Sequence, residues 1–341
     1  MIVIPIQIFG DIMLSKIQND SINKNVLMYI KYLHNITFHL LIYFLAVSNV
    51  LLGDQKVNKT KCNMVIVLKD YQKKMLDEYI ERLQDYPKFD TGEKFNNLPK
   101  WEYCKPDAPS LSKLSNEYNL KDVAGSGTEI EKMLNLMDWV HRVTSSKGEI
   151  GNPEVLNAPS IIEFVRSKGL SVNCKMKSIV LNEILLSFGY HSRRISLKPS
   201  KFDGDSHSIV MVFSNTHKKW ICLDPTFNTY FHNDSGEILG YIEIREIYRK
   251  GEIPKFRPIQ FTIRPPLMLA GKRFDSYDEW YAVYMAKNCF QAASPQKSAF
   301  GYESSESTNW ILLLPSNFQS DEIGRVNTYI THNPEYFFQE P

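Results

Sequence analysis

Residues 174–224 read CKMKSIVLNEILLSFGYHSRRISLKPSKFDGDSHSIVMVFSNTHKKWICLD, and the change of hydrophobic period along this stretch decides the fold class. From Cys174 to Phe188 the apolar residues recur at helical spacing: Met176, Ile179, Val180, Ile184 and Phe188 line one side, and Gly189 supplies the stop. The apolar face is broad, which predicts a helix buried on most sides. After Gly189 the period drops to two. Residues 193–197 read as a strand, and 198–205 as a loop carrying Pro199 and Gly204. Two further strands, 207–213 and 218–224, flank the polar turn 214–217. Helices followed by antiparallel strands predict an α+β architecture.

Outward from this stretch the signals thin. Thr128-x-x-Glu131 is a capping box ahead of a helix whose buried face carries Ile130, Met133, Leu134, Met137 and Val140. Ser160-x-x-Glu163 reads as the start of a shorter helix that stops at Gly169. Residues 64–84 read as helical, with Leu68, Met75, Tyr79 and Leu83 as an apolar stripe. The Pro-, Asn- and Lys-rich stretch that follows, through Pro109, has no period and reads as loop, with Trp101 and Tyr103 packed against the rest. Towards the C-terminus, 253–266 reads as extended, Ser276-x-x-Glu279 opens a helix with Trp280, Val283 and Tyr284, and 310–314 is a buried strand. No chemical motif is visible there. The expected organisation is an N-terminal signal or anchor over 1–53, an extension over 54–123, a core over 124–235, and a C-terminal extension or small second domain over 236–341.

Composition narrows the function class. Forty basic and 38 acidic residues are interspersed and leave a net charge of +2, so there is no concentrated basic face for a nucleic-acid partner. Five cysteines are present, at 62, 104, 174, 222 and 289. None forms a CxxC pair, which argues against a zinc site, and an odd count leaves one thiol unpaired in an exported protein. Residues 36–53 are strongly apolar and follow Lys24 and Lys31. That pattern favours an export signal, so a periplasmic or extracellular location is expected. Left uncleaved, the same segment would be a membrane anchor; a buried helix is the third reading.

A thiol nucleophile needs a group that lowers its pKa, a base for its proton, and a group that orients the base. Cys174 opens the predicted central helix, where unpaired N–H groups and the positive end of the dipole favour thiolate. Those N–H groups could also receive an oxyanion. On its own a cysteine is more often a small core residue. His207 and Asp224 supply the other two aids. Closing the hairpin with Phe213 opposite Lys218, around a four-residue loop, puts His207 directly across from Asp224 on one face, with Cβ atoms about 4.5–5.5 Å apart. Cys222 alternates with Trp220 and Asp224 and should pack beneath the site. His141, His191 and His217 lack paired ligand spacing, and Trp139, Trp280 and Trp310 read as core anchors. Asp203 and Asp205 lack a DxDxDG loop, so no metal site is assigned.

Together, the helix-opening Cys174, the GYHSRRI segment after that helix, His207 on a strand and WICLDPT around Asp224 resemble the transglutaminase-like superfamily. Met137-Asp-Trp-Val140 resembles the helix such domains place upstream, and the likeness covers about residues 128–230. The resemblance implies a papain-like, cysteine-proteinase-type core of the bacterial exported kind, with its central helix packed on an antiparallel sheet. It implies a Cys174–His207–Asp224 triad doing acyl chemistry on amide bonds of a protein, peptide or glycopeptide, without a cofactor, with hydrolysis favoured over crosslinking. The competing reading is a catalytically silent binding or scaffold member. Two departures from the family pattern stand out. Ser171-Val-Asn173 replaces the usual glycine-containing approach to the Cys, and Lys175 and Lys177 replace small or aromatic residues after it.

Overall fold

The computed structural model describes residues 66–341 apart from 95–97, 147, 202–204, 261–266, 305–307, 317 and 319–326. The expected signal or anchor at 36–53, Cys62 and Asp203 lie outside the described residues. In chain order the elements begin with α1 (Asp70–Asp85), β1 (Glu102–Tyr103), α2 (Pro109–Glu117), α3 (Leu120–Ala124) and α4 (Glu129–Val143). There follow α5 (Ala158–Lys168), α6 (Cys174–Ser187), β2 (Ser192–Lys198), β3 (His207–Ser214), β4 (Lys219–Asp224) and β5 (Thr229–His232). The chain continues through α7 (Tyr241–Arg249), β6 (Lys255–Pro258), β7 (Leu267–Leu269), β8 (Lys272–Phe274) and α8 (Tyr277–Asn288). It ends with β9 (Gln291–Pro295), β10 (Lys297–Ser298), β11 (Trp310–Leu313), β12 (Thr328–Thr331) and α9 (Pro334–Phe337).

The architecture is α+β. An eight-stranded sheet runs in the order β12-β11-β9-β2-β3-β4-β5-β6 among the described residues, with every neighbouring pair antiparallel except β11–β12. Every residue of β3 is buried, because the period-two alternation sends one set of apolar side chains to each face and helices cover both. Val210, Val212, Ile221 and Leu223 share a core with α2, α4, α5 and α6. Ile209, Met211, Phe213, Trp220 and Cys222 face the other way and share a core with α1, α7 and α8. The C-terminal third thus supplies α7 and α8 to the second face and four strands, β6, β9, β11 and β12, to the sheet.

The central helix is α6, and its residues from Met176 to Leu186 are all buried. Asn173 caps it by accepting the Met176 N–H. Inside it, Glu183 accepts N–H groups from Ala158 and Gly301, each at 2.8 Å, which ties the start of α5 and the loop after β10 to the helix. Burial pushes the Glu183 carboxyl up to about 8, against the pull of those two N–H groups. Thr128 caps α4 through the expected box with Glu131, and Ser276 caps α8 by accepting the Glu279 N–H.

Four expectations need correction. Helix α5 starts two residues before Ser160, with Asn157 as its cap, because the Asn157 side chain accepts the Ser160 N–H and Pro159 fits the first helical turn. The 64–84 helix begins at Asp70 within the described residues. The loop expected through Pro109 carries β1 and ends one residue earlier, where α2 begins, and the unassigned stretch beyond it completes α2 and holds α3. Finally, the hairpin register is displaced by two residues: Phe213 pairs with Trp220 and Ser214 with Lys219. The turn is therefore 215–218, with Lys218 left-handed at φ 52°.

Candidate active site

A register displaced by two keeps every side chain on its expected face, since the strand period is two. His207 and Asp224 consequently meet diagonally across β3 and β4 rather than directly opposite. His207 Nε2 lies 2.6 Å from Asp224 Oδ2, and neither side chain is exposed.

Asp224 is held from three directions. Its Oδ1 accepts the Thr226 N–H at 3.0 Å and the Phe227 N–H at 3.3 Å, because Pro225 turns the chain back under the carboxylate. Its Oδ2 accepts the Tyr281 hydroxyl of α8 at 2.8 Å as well as contacting His207. Phe227 and Tyr284 flank the imidazole, with ring centroids at 5.3 and 5.2 Å. The ring is therefore fixed in plane by a carboxylate and in tilt by aromatic contacts. With Nε2 committed to Asp224, Nδ1 is the nitrogen left for other chemistry; it is buried and makes no hydrogen bond among the described residues.

Cys174 sits at the first position of α6, half-buried, with the Ser206 carbonyl 3.9 Å from its Sγ. Its N–H belongs to the helix's unpaired first turn. Burial pushes the thiol's pKa up, but the influence of the nearby His207 outweighs it, and the thiol lies below its ordinary value. For His207, burial opposes protonation, yet the charge of Asp224 and the hydrogen bond to it, helped by Cys174, raise the imidazole to about 10. The two shifts have one meaning: a proton moved from Cys174 to His207 leaves a thiolate–imidazolium pair.

The other described thiols contrast with it. Cys222 is buried under Asp224 and burial holds its thiol well above the ordinary value. Burial likewise pushes Cys289 up to about 12. Cys104 is half-buried, and all four described cysteines are free. His141 is buried with Nδ1 3.1 Å from the Pro225 carbonyl, and burial lowers its pKa. His191 meets the Tyr103 ring edge-on, with centroids 4.8 Å apart. Asp205 pairs with Lys287 Nζ of α8 at 2.9 Å. No group of three His, Cys, Asp or Glu side chains among the described residues could hold a metal ion.

Two parts of the site escaped the sequence. Tyr281 is 57 positions from Asp224, and in sequence it is one aromatic among many on α8. The Ser206 carbonyl beside Cys174 is backbone, and no residue type announces it.

No protein-family model matches the chain, and no curated protein matches it. Among solved structures, a candidate cysteine protease from Cytophaga hutchinsonii is 16% identical with a TM-score of 0.26, over 42% of this chain and 47% of that one. A candidate protease from Parabacteroides distasonis ATCC 8503 is 13% identical with a TM-score of 0.23, over 49% of this chain and 30% of that one. The chain spans less than half the length of either structure. A likeness of this size carries no argument.

Proposed function

We propose that the protein performs thiol-dependent acyl chemistry on amide bonds, with Cys174 as nucleophile, His207 as general base then acid, and Asp224 as the group that orients His207. The observation that carries this reading is the buried His207, fixed at 2.6 Å by Asp224, with Cys174 Sγ 3.9 Å from the carbonyl of Ser206, the residue before His207. In the reaction, the Cys174 thiolate attacks the amide carbonyl carbon and forms the C–S bond. The oxyanion is met by the free N–H groups at the start of α6. His207 then gives its proton to the leaving nitrogen as the C–N bond breaks, leaving a thioester on Cys174. Water attacks the thioester, passing its proton to His207, and thiolate and carboxylic acid are released. The substrate in this reading is a protein, peptide or glycopeptide, and an exported location fits the apolar segment at 36–53.

The test is capture of the thioester. The full chain is incubated with a peptide pool, quenched in acid, and the Cys174 peptide is mapped by mass spectrometry. The expected result is an acyl adduct on Cys174 that hydroxylamine removes and that Cys174→Ser eliminates. A Cys174 that stays free while peptides remain intact would support the silent scaffold instead.

A further inference from the structure

Lys177 lies one turn beyond Cys174 on α6, so the two share a helix face. Its side chain is buried, with 7% of the residue exposed. The ammonium has three donors. One goes to the Ser145 hydroxyl at 2.7 Å, at the end of α4, and Lys177 enters no ion pair among the described residues. A buried ammonium without a counter-ion is costly, and lysine is almost never buried unless paired. This one is therefore a cation with donors to spare beside a nucleophile.

The surroundings say what would complete it. Burial lowers Lys177 to about 8, while the negative charges of Asp224 and Cys174 hold it up. The amine therefore stays mostly protonated at neutral pH. Asp224 is already saturated by His207, Tyr281 and two backbone N–H groups. His141, which feels the charge of Lys177, has its pKa lowered by burial and by that charge, so it offers no anion. The same coupling lets Lys177 favour the Cys174 thiolate, yet burial and His207 lead the influences on that thiol, and the one hydrogen bond to Ser145 leaves the ammonium with donors to spare among the described residues.

Resting on the triad reading, we propose that Lys177 is the specificity residue of this site and binds a carboxylate on the acyl donor. Three residues of helix rise about 4.5 Å. The recognised carboxylate would thus lie within one residue of the carbonyl that Cys174 attacks, as the chain-terminal group or as an Asp or Glu side chain. The substrate class is an acidic acyl donor.

The experiment follows capture of Cys174 by iodoacetamide in the full chain, quantified by mass spectrometry, with Cys104 as internal reference. N-acetylglycine presents a terminal carboxylate, N-acetylaspartic acid α-amide presents a side-chain one, and N-acetylglycinamide is neutral. One or both carboxylates should slow labelling of Cys174, thereby naming the source, while the neutral amide should not. In Lys177→Met that protection should vanish, and the ratio of iodoacetate to iodoacetamide rates at Cys174 should fall about fivefold, as loss of a nearby charge predicts. Lys177→Arg should retain both effects, and Cys104 should not change. If Lys177→Met does not fold, the protection series on the unaltered protein decides. Equal protection by acids and amide, or an unchanged ratio in a folded Lys177→Met, overturns the proposal and leaves the triad standing. A Cys174 that reacts with neither reagent removes both.

Discussion

His207 and Arg193 are cationic side chains on neighbouring strands of one sheet face, both fully buried, and they are satisfied in opposite ways. His207 is met by a carboxylate at 2.6 Å, which is itself held by a tyrosine and two backbone N–H groups. Among the described residues Arg193 has no carboxylate partner: its guanidinium lies 3.9 Å from the Trp101 ring centroid and 4.3 Å from that of Trp220, with Phe337 and Phe338 beyond. None of its three side-chain nitrogens has a hydrogen-bond partner among the described residues. The C-terminal segment closes this cage, since Trp101 Nε1 donates to the Tyr336 carbonyl and Trp220 Nε1 to that of Gln339. Aromatic faces attract a cation without directing it. A carboxylate fixes one nitrogen in place and couples its proton to a neighbour. The first arrangement suits packing, and the second suits proton transfer.

The largest way to break this contrast is Asp224→Asn. It should cost about 3 kcal/mol in urea melts, because a buried imidazolium loses its counter-charge. It should also flatten the pH dependence of stability. A histidine raised from 6.5 to about 10 contributes stability that is full below 6.5 and lost as pH rises towards 10. The variant should lose that decline. Arg193→Met should go the other way, neutral or stabilising by up to about 2 kcal/mol, since it fills the cage without an unpaired charge. A loss as large as that of Asp224→Asn would mean that the aromatic cage balances the guanidinium in full. A smaller loss than that of Asp224→Asn is expected from Tyr281→Phe, about 1.5 kcal/mol for one hydrogen bond to the carboxylate. It should also slow Cys174 alkylation while Asp224 remains.

What the sequence revealed follows from parity and length. The α+β class was legible because the period changes at Gly189. Cys222, His207 and Asp224 could be set on one face because an even displacement of register preserves faces. The displacement itself was hidden: the turn has no Asn-Gly pair, and its left-handed residue is Lys218, a type that gives no warning. Helices α2 and α3 escaped because each buries only two residues, Leu111 with Leu114 and Leu120 with Ala124, too few to show a period. The partner of Asp224 on α8 depends on tertiary packing, which no local pattern encodes. Lys177 was visible only as an oddity beside the cysteine; its burial and its hydrogen bond to Ser145 needed coordinates.

The central claim is that His207 activates Cys174, and the pH profile of Cys174 alkylation by iodoacetamide measures it directly. In the unaltered protein the rate should reach half its maximum below the ordinary thiol pKa of about 8.5, and His207→Ala should move the midpoint to that value or above. A midpoint near 8.5 in both proteins would contradict the account.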